Sequence, residues 1–308
     1  MLPIYLPIAG LSIDAFLVIG VGLAVGVLSG LFGVGGGFLI TPILLVLGIP
    51  IEVAIATGAA QTVATAASGS YSQWQAGNLD LKMGLLLLIG GVVGSLGGVQ
   101  LVALLLRTGQ IELVVSLCYV VLLGILGALM LIEGTRAIWK SRGGRVVAST
   151  RRRHSWVHNL PYKTRFTRSK LYMSMLPPLG LGVFVGLLGA VMGVGGGFVA
   201  VPFMVYALAM PTKVVIGTSL FQVFVTSAMA TVMQAQQNYS VDVLLALLLI
   251  IGGVVGAQIG VRAGRGLKAE QLRALLGLLV LSVSVRIAIG LIVTPTELFV
   301  LDVPRGGR

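Results

Sequence analysis

Residues 30–38 read GLFGVGGGF, and residues 190–198 read AVMGVGGGF. The run GVGGG thus stands twice, 160 residues apart, each time inside an apolar stretch. On that offset Gly33-Val34-Gly35-Gly36-Gly37-Phe38 falls on Gly193-Val194-Gly195-Gly196-Gly197-Phe198, and Pro42 falls on Pro202. One residue of drift later, Thr57 and Gln61 meet Thr218 and Gln222. One more, and Asp80 meets Asp242, while GGVVG (90–94) meets GGVVG (252–256). The chain reads as two copies of one unit: a first transmembrane repeat over 1–135 and a second over 175–295, with a basic loop, 136–174, between them and a tail, 296–308. Internal repeats of this size in a polytopic membrane protein are common among secondary transporters.

Composition sets the solvent. The 308 residues are 57% hydrophobic and 10% charged, with a mean hydropathy of +1.05. Stretches such as MGLLLLIGGVVGSLGGVQLVALLL (83–106) are long enough to cross a bilayer as a helix. A membrane barrel would instead show short alternating segments. The N-terminal MLPIYLPIAGLSIDAFLVIG has no basic region before its apolar run, so it is expected to stay as part of the first helix rather than to act as a signal peptide. The single Cys118 lies in an apolar stretch and reads as a packing residue.

The net charge of +12 is concentrated. Eleven Lys/Arg and no Asp or Glu lie between Arg136 and Lys170. A basic loop between membrane helices marks the cytoplasmic side and touches anionic lipid, which accounts for this run without nucleic acid.

The glycine runs decide how each repeat threads the bilayer. The apolar segment Ile13 to Gly48 would be about 54 Å long as one straight helix, against a hydrocarbon slab of about 30 Å. It must tilt hard, break or turn back, and GVGGG sits in its middle. Three ordinary helices follow, near 51–75, 81–106 and 111–135. The second half gives 175–210, 212–236, 241–263 and 271–294. With the loop after Arg136 inside, a turn-back at the glycines also places Lys82, Lys213 and RAGRGLKAEQLR (262–273) inside, leaving Asp14, Glu52 and Asp242 outside. Each half then makes three full crossings, an odd number. The expected fold is an all-α polytopic membrane protein of two inverted repeats, each a glycine-broken re-entrant segment plus three transmembrane helices. The competing arrangement has long tilted helices and parallel repeats.

A dinucleotide-binding fingerprint has glycines too, but the spacing fails here and no clear strand precedes the run. In a membrane, glycines permit sharp reversal and close backbone approach. A helix restarting near Phe38 or Thr41, with Thr41-Pro42 as N-cap and first helical residue, would carry unpaired N–H groups and partial positive charge. Such groups must find a partner in hydrocarbon, and a small anion is one. Close helix packing is the other use of such glycines. The candidate substrate-binding residues are Gly33, Gly35, Gly36, Gly37 and Gly193, Gly195, Gly196, Gly197.

The next helix, 51–75, is the least apolar. Thr57, Gln61 and Thr65 recur every four residues and share a face. Thr218, Gln222 and Thr226 repeat this in the second half. These neutral donors either hold helices together or line a path for an oxyanion. Arg286, within the last helix, either faces that path or snorkels to the interface. Asp80, Asp242, Glu52 and Glu133 fall near helix ends, so no buried proton relay stands out.

GVLSGLFGVGGGFLITPIL (26–44) and GVFVGLLGAVMGVGGGFVAVPFM (182–204), with the two-half layout, resemble the TauE/SafE-type sulfite exporters. The resemblance covers nearly the whole chain and implies transport of sulfite or a related sulfur-containing anion across the prokaryotic inner membrane. It marks Gly33, Gly35, Gly36, Gly37, Pro42 and their counterparts as family positions. The expectation is a secondary transporter for a small anionic substrate, with no cofactor and an oligomer possible. Uptake of sulfonate or thiosulfate and an anion channel are the alternatives. An enzyme is disfavoured: His154 and His158 lie in the basic loop without a partner at ligand or catalytic spacing.

Overall fold

The computed structural model describes residues 3–142, 163–166, 169, 171–208, 210–264 and 269–292. The core of the basic loop with His154 and His158, its expected contact with anionic lipid, and the 296–308 tail lie outside them.

The first half holds α1 (Ala15–Phe32), α2 (Gly37–Val46), α3 (Ile51–Gln75), α4 (Leu81–Thr108) and α5 (Ile111–Arg142). The second holds α6 (Leu176–Met192), α7 (Gly197–Tyr206), α8 (Thr212–Gln237), α9 (Val243–Gly264) and α10 (Ala269–Ile292). Among the described residues, α1, α4, α5, α8, α9 and α10 are long and apolar enough to cross a membrane. The chain is a predominantly α-helical, multi-pass membrane protein. Both glycine runs break a long apolar segment into a pair of helices, as expected. The 10-residue α2 and α7 reach only about 15 Å each.

The N-terminal stretch is a correction. Residues 3–14 do not extend the first helix. They form an antiparallel hairpin, β1 (Pro3–Leu6) with β2 (Leu11–Asp14), and α1 starts only at Ala15, where the Asp14 side chain accepts the N–H of Phe16. A second hairpin, β3 (Lys163–Phe166) with β4 (Leu171–Ser174), stands at the matching place ahead of α6. It takes up the end of the segment read as basic loop, and α5 runs into that segment's start.

The halves pack by exchanging helices. α1 packs along α9, and α4 along α6. Their contact is glycine against backbone. A Cβ on Gly22 would lie 2.5 Å from the Leu249 carbonyl oxygen, and Cβ atoms on Gly26 and Gly30 would overlap the carbonyls of Gly253 and Ala257. Likewise Gly90, Gly94 and Gly98 of α4 meet the carbonyls of Leu179, Val183 and Leu187 of α6. In lipid, with no hydrophobic drive between helices, such close approach is what van der Waals attraction requires. The GGVVG repeats are therefore the seams that join the halves.

Contact register gives helix direction. Partner numbers rise together in α1–α9 and α4–α6, so these pairs are parallel. α3 and α9 are parallel as well: the Asp242 N–H donates to Thr57 Oγ1 (3.2 Å), and Ser72 Oγ bonds Gln258 Oε1 (3.0 Å). α3 and α8 are antiparallel, Gly69 facing Leu220 and Gln73 facing Gly217. α5 and α10 are antiparallel, Gly127 facing Leu281 and Gly134 facing Ala274.

Two carboxylates tie the hairpins down. Asp242 is fully buried. Its Oδ1 accepts the Leu245 N–H at the start of α9 (3.1 Å), and its Oδ2 accepts the N–H groups of Ile8 (3.1 Å) and Ala9 (3.4 Å) in the first hairpin. Asp80 is equally buried. It caps α4 through the Met83 N–H (3.3 Å) and accepts both the N–H (2.9 Å) and the hydroxyl (2.6 Å) of Ser169 in the second hairpin's turn. Each hairpin is thus fastened to the other half. Asp80→Asn turns an amide toward those donors. It is expected to cost about 2 kcal/mol, the worth of hydrogen bonds to a charged acceptor, read as a lower Tm in detergent. Ser169→Ala should cost less, because the backbone N–H bond survives.

Candidate functional site

Both reversals are built alike. α1 ends as the Gly33 N–H donates to the Ser29 carbonyl (2.8 Å). Gly33, Gly35 and Gly36 take φ of 73°, 87° and 84°, and Gly193, Gly195 and Gly196 take 70°, 69° and 73°, a region that side chains disfavour. The helix restarts on the fourth glycine of the run, capped by the third. Gly36 and Gly196 are the N-caps of α2 and α7, so Thr41-Pro42 is not a helix start. Pro42 lies inside α2, and Thr41 Oγ1 points at the Met192 carbonyl (3.3 Å).

The two turns meet. The Phe38 and Phe198 rings, equivalent residues of the two copies, stack 6.4 Å apart. A Cβ on Gly37 would lie 2.6 Å from the Gly193 oxygen and 2.6 Å from Thr62 Oγ1, and one on Gly197 would overlap the Val34 carbonyl. Thr62 and its counterpart Val223 each touch the positions of both Gly35 and Gly195. All of this is buried.

Carbonyls at the turns have donors. Thr65 Oγ1 donates to Gly35 O (2.9 Å) and Ser219 Oγ to Gly33 O (2.7 Å). Tyr119 Oη donates to Met192 O (2.8 Å). The amides do not have acceptors: among the described residues, the N–H groups of Gly35–Phe38 and Gly195–Phe198 donate to no protein atom. Beside them, the hydroxyls of Ser29 and Ser227 reach the Gly36 and Gly195 positions and are buried without a partner among the described residues, as are both amide atoms of Gln61 and of Gln222 on the adjoining α3 and α8. An unpartnered buried amide costs about 1–3 kcal/mol. Where the two helix N-termini meet, the described residues supply these N–H and hydroxyl donors and no carboxylate. That chemistry suits a small anion.

The expected residues divide three ways. The eight glycines form the two turns, and Thr65 binds one of them. Gln61 and Gln222 face the second glycine of each GGVVG, with Gln61 Nε2 2.8 Å and Gln222 Nε2 3.6 Å from where a Cβ would stand on Gly253 and Gly91. Thr57 and Thr218 instead receive the N–H groups of Asp242 and Asp80 (3.2 Å each), and Thr226 bonds carbonyls of its own helix. Arg286 is not brought to the turns. It lines a separate cleft with α2 and α5, because α10 packs chiefly on α5 at the edge of the bundle.

Ser29, Thr62, Ser219 and Ser227 were not expected at the site. Their counterparts in the other copy are Gly189, Val223, Gly58 and Ala66, so matching the repeats, which found the rest, could not find them.

A family model described as Sulfite exporter TauE/SafE matches residues 18–287. The chain belongs to that family. TauE/SafE proteins are membrane transporters, and the chain is a transporter rather than an enzyme. Its relatives include the "Probable membrane transporter protein YunE" of Bacillus subtilis, 27% identical over 81% of this chain and 88% of the relative. A "Probable membrane transporter protein" of Xylella fastidiosa is 28% identical over 87% of this chain and 92% of its own. No solved structure matches. The family match spans both glycine turns and the helices that bury them.

Proposed function

We propose that this TauE/SafE protein is a secondary transporter that moves a small sulfur-containing oxyanion, sulfite or an organosulfonate, across the prokaryotic inner membrane by alternating access, in the direction of export. The observation that carries the reading is the group of buried N–H and hydroxyl groups, unpartnered among the described residues, where the two turns meet, with the unpartnered amides of Gln61 and Gln222 on the adjoining α3 and α8. Sulfite and sulfonate oxygens would accept from these neutral donors, which bind an anion without a fixed charge that would trap it. The export direction rests on the family's description.

In this reading the halves lie inverted in the bilayer, and α2 and α7 are re-entrant. The helix registers support both. α1 and α3 run with α9, whereas α6 and α8 run with α4, so each of these helices opposes its counterpart in the other half. With α1 and α3 pointing the same way, α2 has to return the chain. Lys82, Lys213, Arg262 and Arg136 then gather at one end with the basic loop, which is the cytoplasmic side. Asp14, Glu52 and Glu112 lie at the other. The hairpins cover opposite ends, each latched by a buried aspartate whose own N–H reaches a threonine on α3 or α8. Releasing one latch at a time would open the site to one side at a time.

Proteoliposomes given sulfite, sulfate, thiosulfate and sulfoacetate in turn, under imposed pH and voltage gradients, test the reading. Saturable flux with counterflow of one or more sulfur anions is expected. Flux that rises linearly with concentration and shows no counterflow would make the protein a channel.

A further inference from the structure

At the end of the bundle where α2 and α10 finish and α5 starts, these three helices enclose a cleft of about 830 Å³. Its walls are apolar, with Val46, Leu113 and Leu291 open to the surroundings. In a protein whose solvent is the bilayer, such a cleft faces acyl chains. Of the described residues, two of opposite charge line it, Arg286 and Glu112. Among the described residues neither forms an ion pair or a hydrogen bond. None of the glycine-turn residues and neither site glutamine lines the cleft.

The charges are ordered in depth. Arg286 lies within the apolar span of α10, six residues, or about 9 Å, before its end at Ile292. Glu112 lies in the first turn of α5. Because α5 and α10 are antiparallel, with Gly127 opposite Leu281, Glu112 stands farther out toward the headgroups than Arg286. A cation within the membrane span is costly unless an anion meets it. A lone phosphate or sulfonate would satisfy Arg286 but face the Glu112 carboxylate. A zwitterionic phospholipid headgroup satisfies both. Its phosphate, next to the glycerol, lies at the depth of the guanidinium, which binds it through a fork of donors. Its ammonium lies farther out, at the carboxylate. Among the described residues, none lining the cleft is aromatic, so none of them would hold a quaternary ammonium by its ring face. A primary ammonium, which donates hydrogen bonds to a carboxylate, fits better.

We infer that this cleft is a binding site for one phospholipid of the bilayer with a phosphoethanolamine headgroup, held by Arg286 and Glu112, its acyl chain lying along α2. The site needs only a membrane-embedded chain, so it stands or falls independently of the transported anion.

Native mass spectrometry of the full chain in detergent, offered phosphatidylethanolamine, phosphatidylcholine and phosphatidylglycerol of equal chain length, tests this. The wild type is expected to retain one phosphatidylethanolamine, at least about tenfold over the other two. Arg286→Gln should lower that retention about tenfold. Glu112→Gln should bring phosphatidylglycerol up to phosphatidylethanolamine, because the carboxylate that repels an anionic headgroup is gone. Monodisperse elution establishes that each variant is folded. Should Arg286→Gln not fold, the Glu112→Gln ratio decides alone. Equal retention of the three lipids by the wild type, or an unchanged ethanolamine-to-glycerol ratio in Glu112→Gln, would overturn the inference.

Discussion

Gln61→Leu and Gln222→Leu are each expected to raise the anion concentration for half-maximal flux at least about tenfold while the protein reaches the membrane in undiminished amount and becomes more stable. The two effects have opposite signs for one reason. Each glutamine buries an amide with no partner among the described residues. Leucine removes that unmet group, and recovering part of its desolvation is worth about 1–3 kcal/mol. The same change takes a hydrogen-bonding group from the anion, which weakens binding by a similar energy, roughly 10- to 100-fold. Were the glutamines interhelical glue, stability and flux would fall together. Counterflow in proteoliposomes and Tm in detergent, measured on the same preparations, separate the two cases. Unchanged flux in both variants would remove the glutamines from the site.

The second large effect concerns the seams. Gly94→Ala is expected to cost more than about 3 kcal/mol, above the usual cost of one added methyl in a core, because the methyl would overlap the Val183 carbonyl. A backbone atom cannot swing aside as a side chain can, so α4 and α6 would have to separate. Gly97→Ala, three residues on in the same helix, is the control. No described residue lies within 4 Å of its Cβ position, and alanine favours helix over glycine by about 1 kcal/mol. The same substitution should therefore lower Tm sharply at 94 and leave it level or raise it at 97. Equal effects would mean that the seam does not govern assembly.

The repeat made most of the architecture legible. Two copies of GVGGG in overlong apolar segments located both breaks, and the helix boundaries followed within a few residues, except that α5 runs on to Arg142 instead of ending near 135. The first hairpin was hidden because PIYLPIAGLSID is apolar enough to read as the start of α1. Its Pro3, Pro7 and Gly10 were the available turn signals. Thr41-Pro42 looked like a helix start because the pair suits an N-cap. Yet a glycine at φ 84° can begin the helix earlier, and does. Asp80 and Asp242 were matched across the repeats and placed near helix ends, where they are. What their spacing could not show is that each binds the opposite half's hairpin, a contact between residues 89 apart in one case and 234 in the other. Arg286 drew attention as a charge within a span, but only the packing of α10 on α5 shows which cleft it joins.

The claim on which the account rests is that the paired glycine turns, with Gln61 and Gln222, bind a sulfur oxyanion. Equilibrium binding of radiolabelled sulfite, thiosulfate and sulfoacetate to the purified protein tests it most directly. The account predicts one saturable site per chain for one or more of them, weakened at least about tenfold by Gln61→Leu and by Gln222→Leu. No saturable binding of any of the three to the wild type, or undiminished binding in both variants, would contradict it.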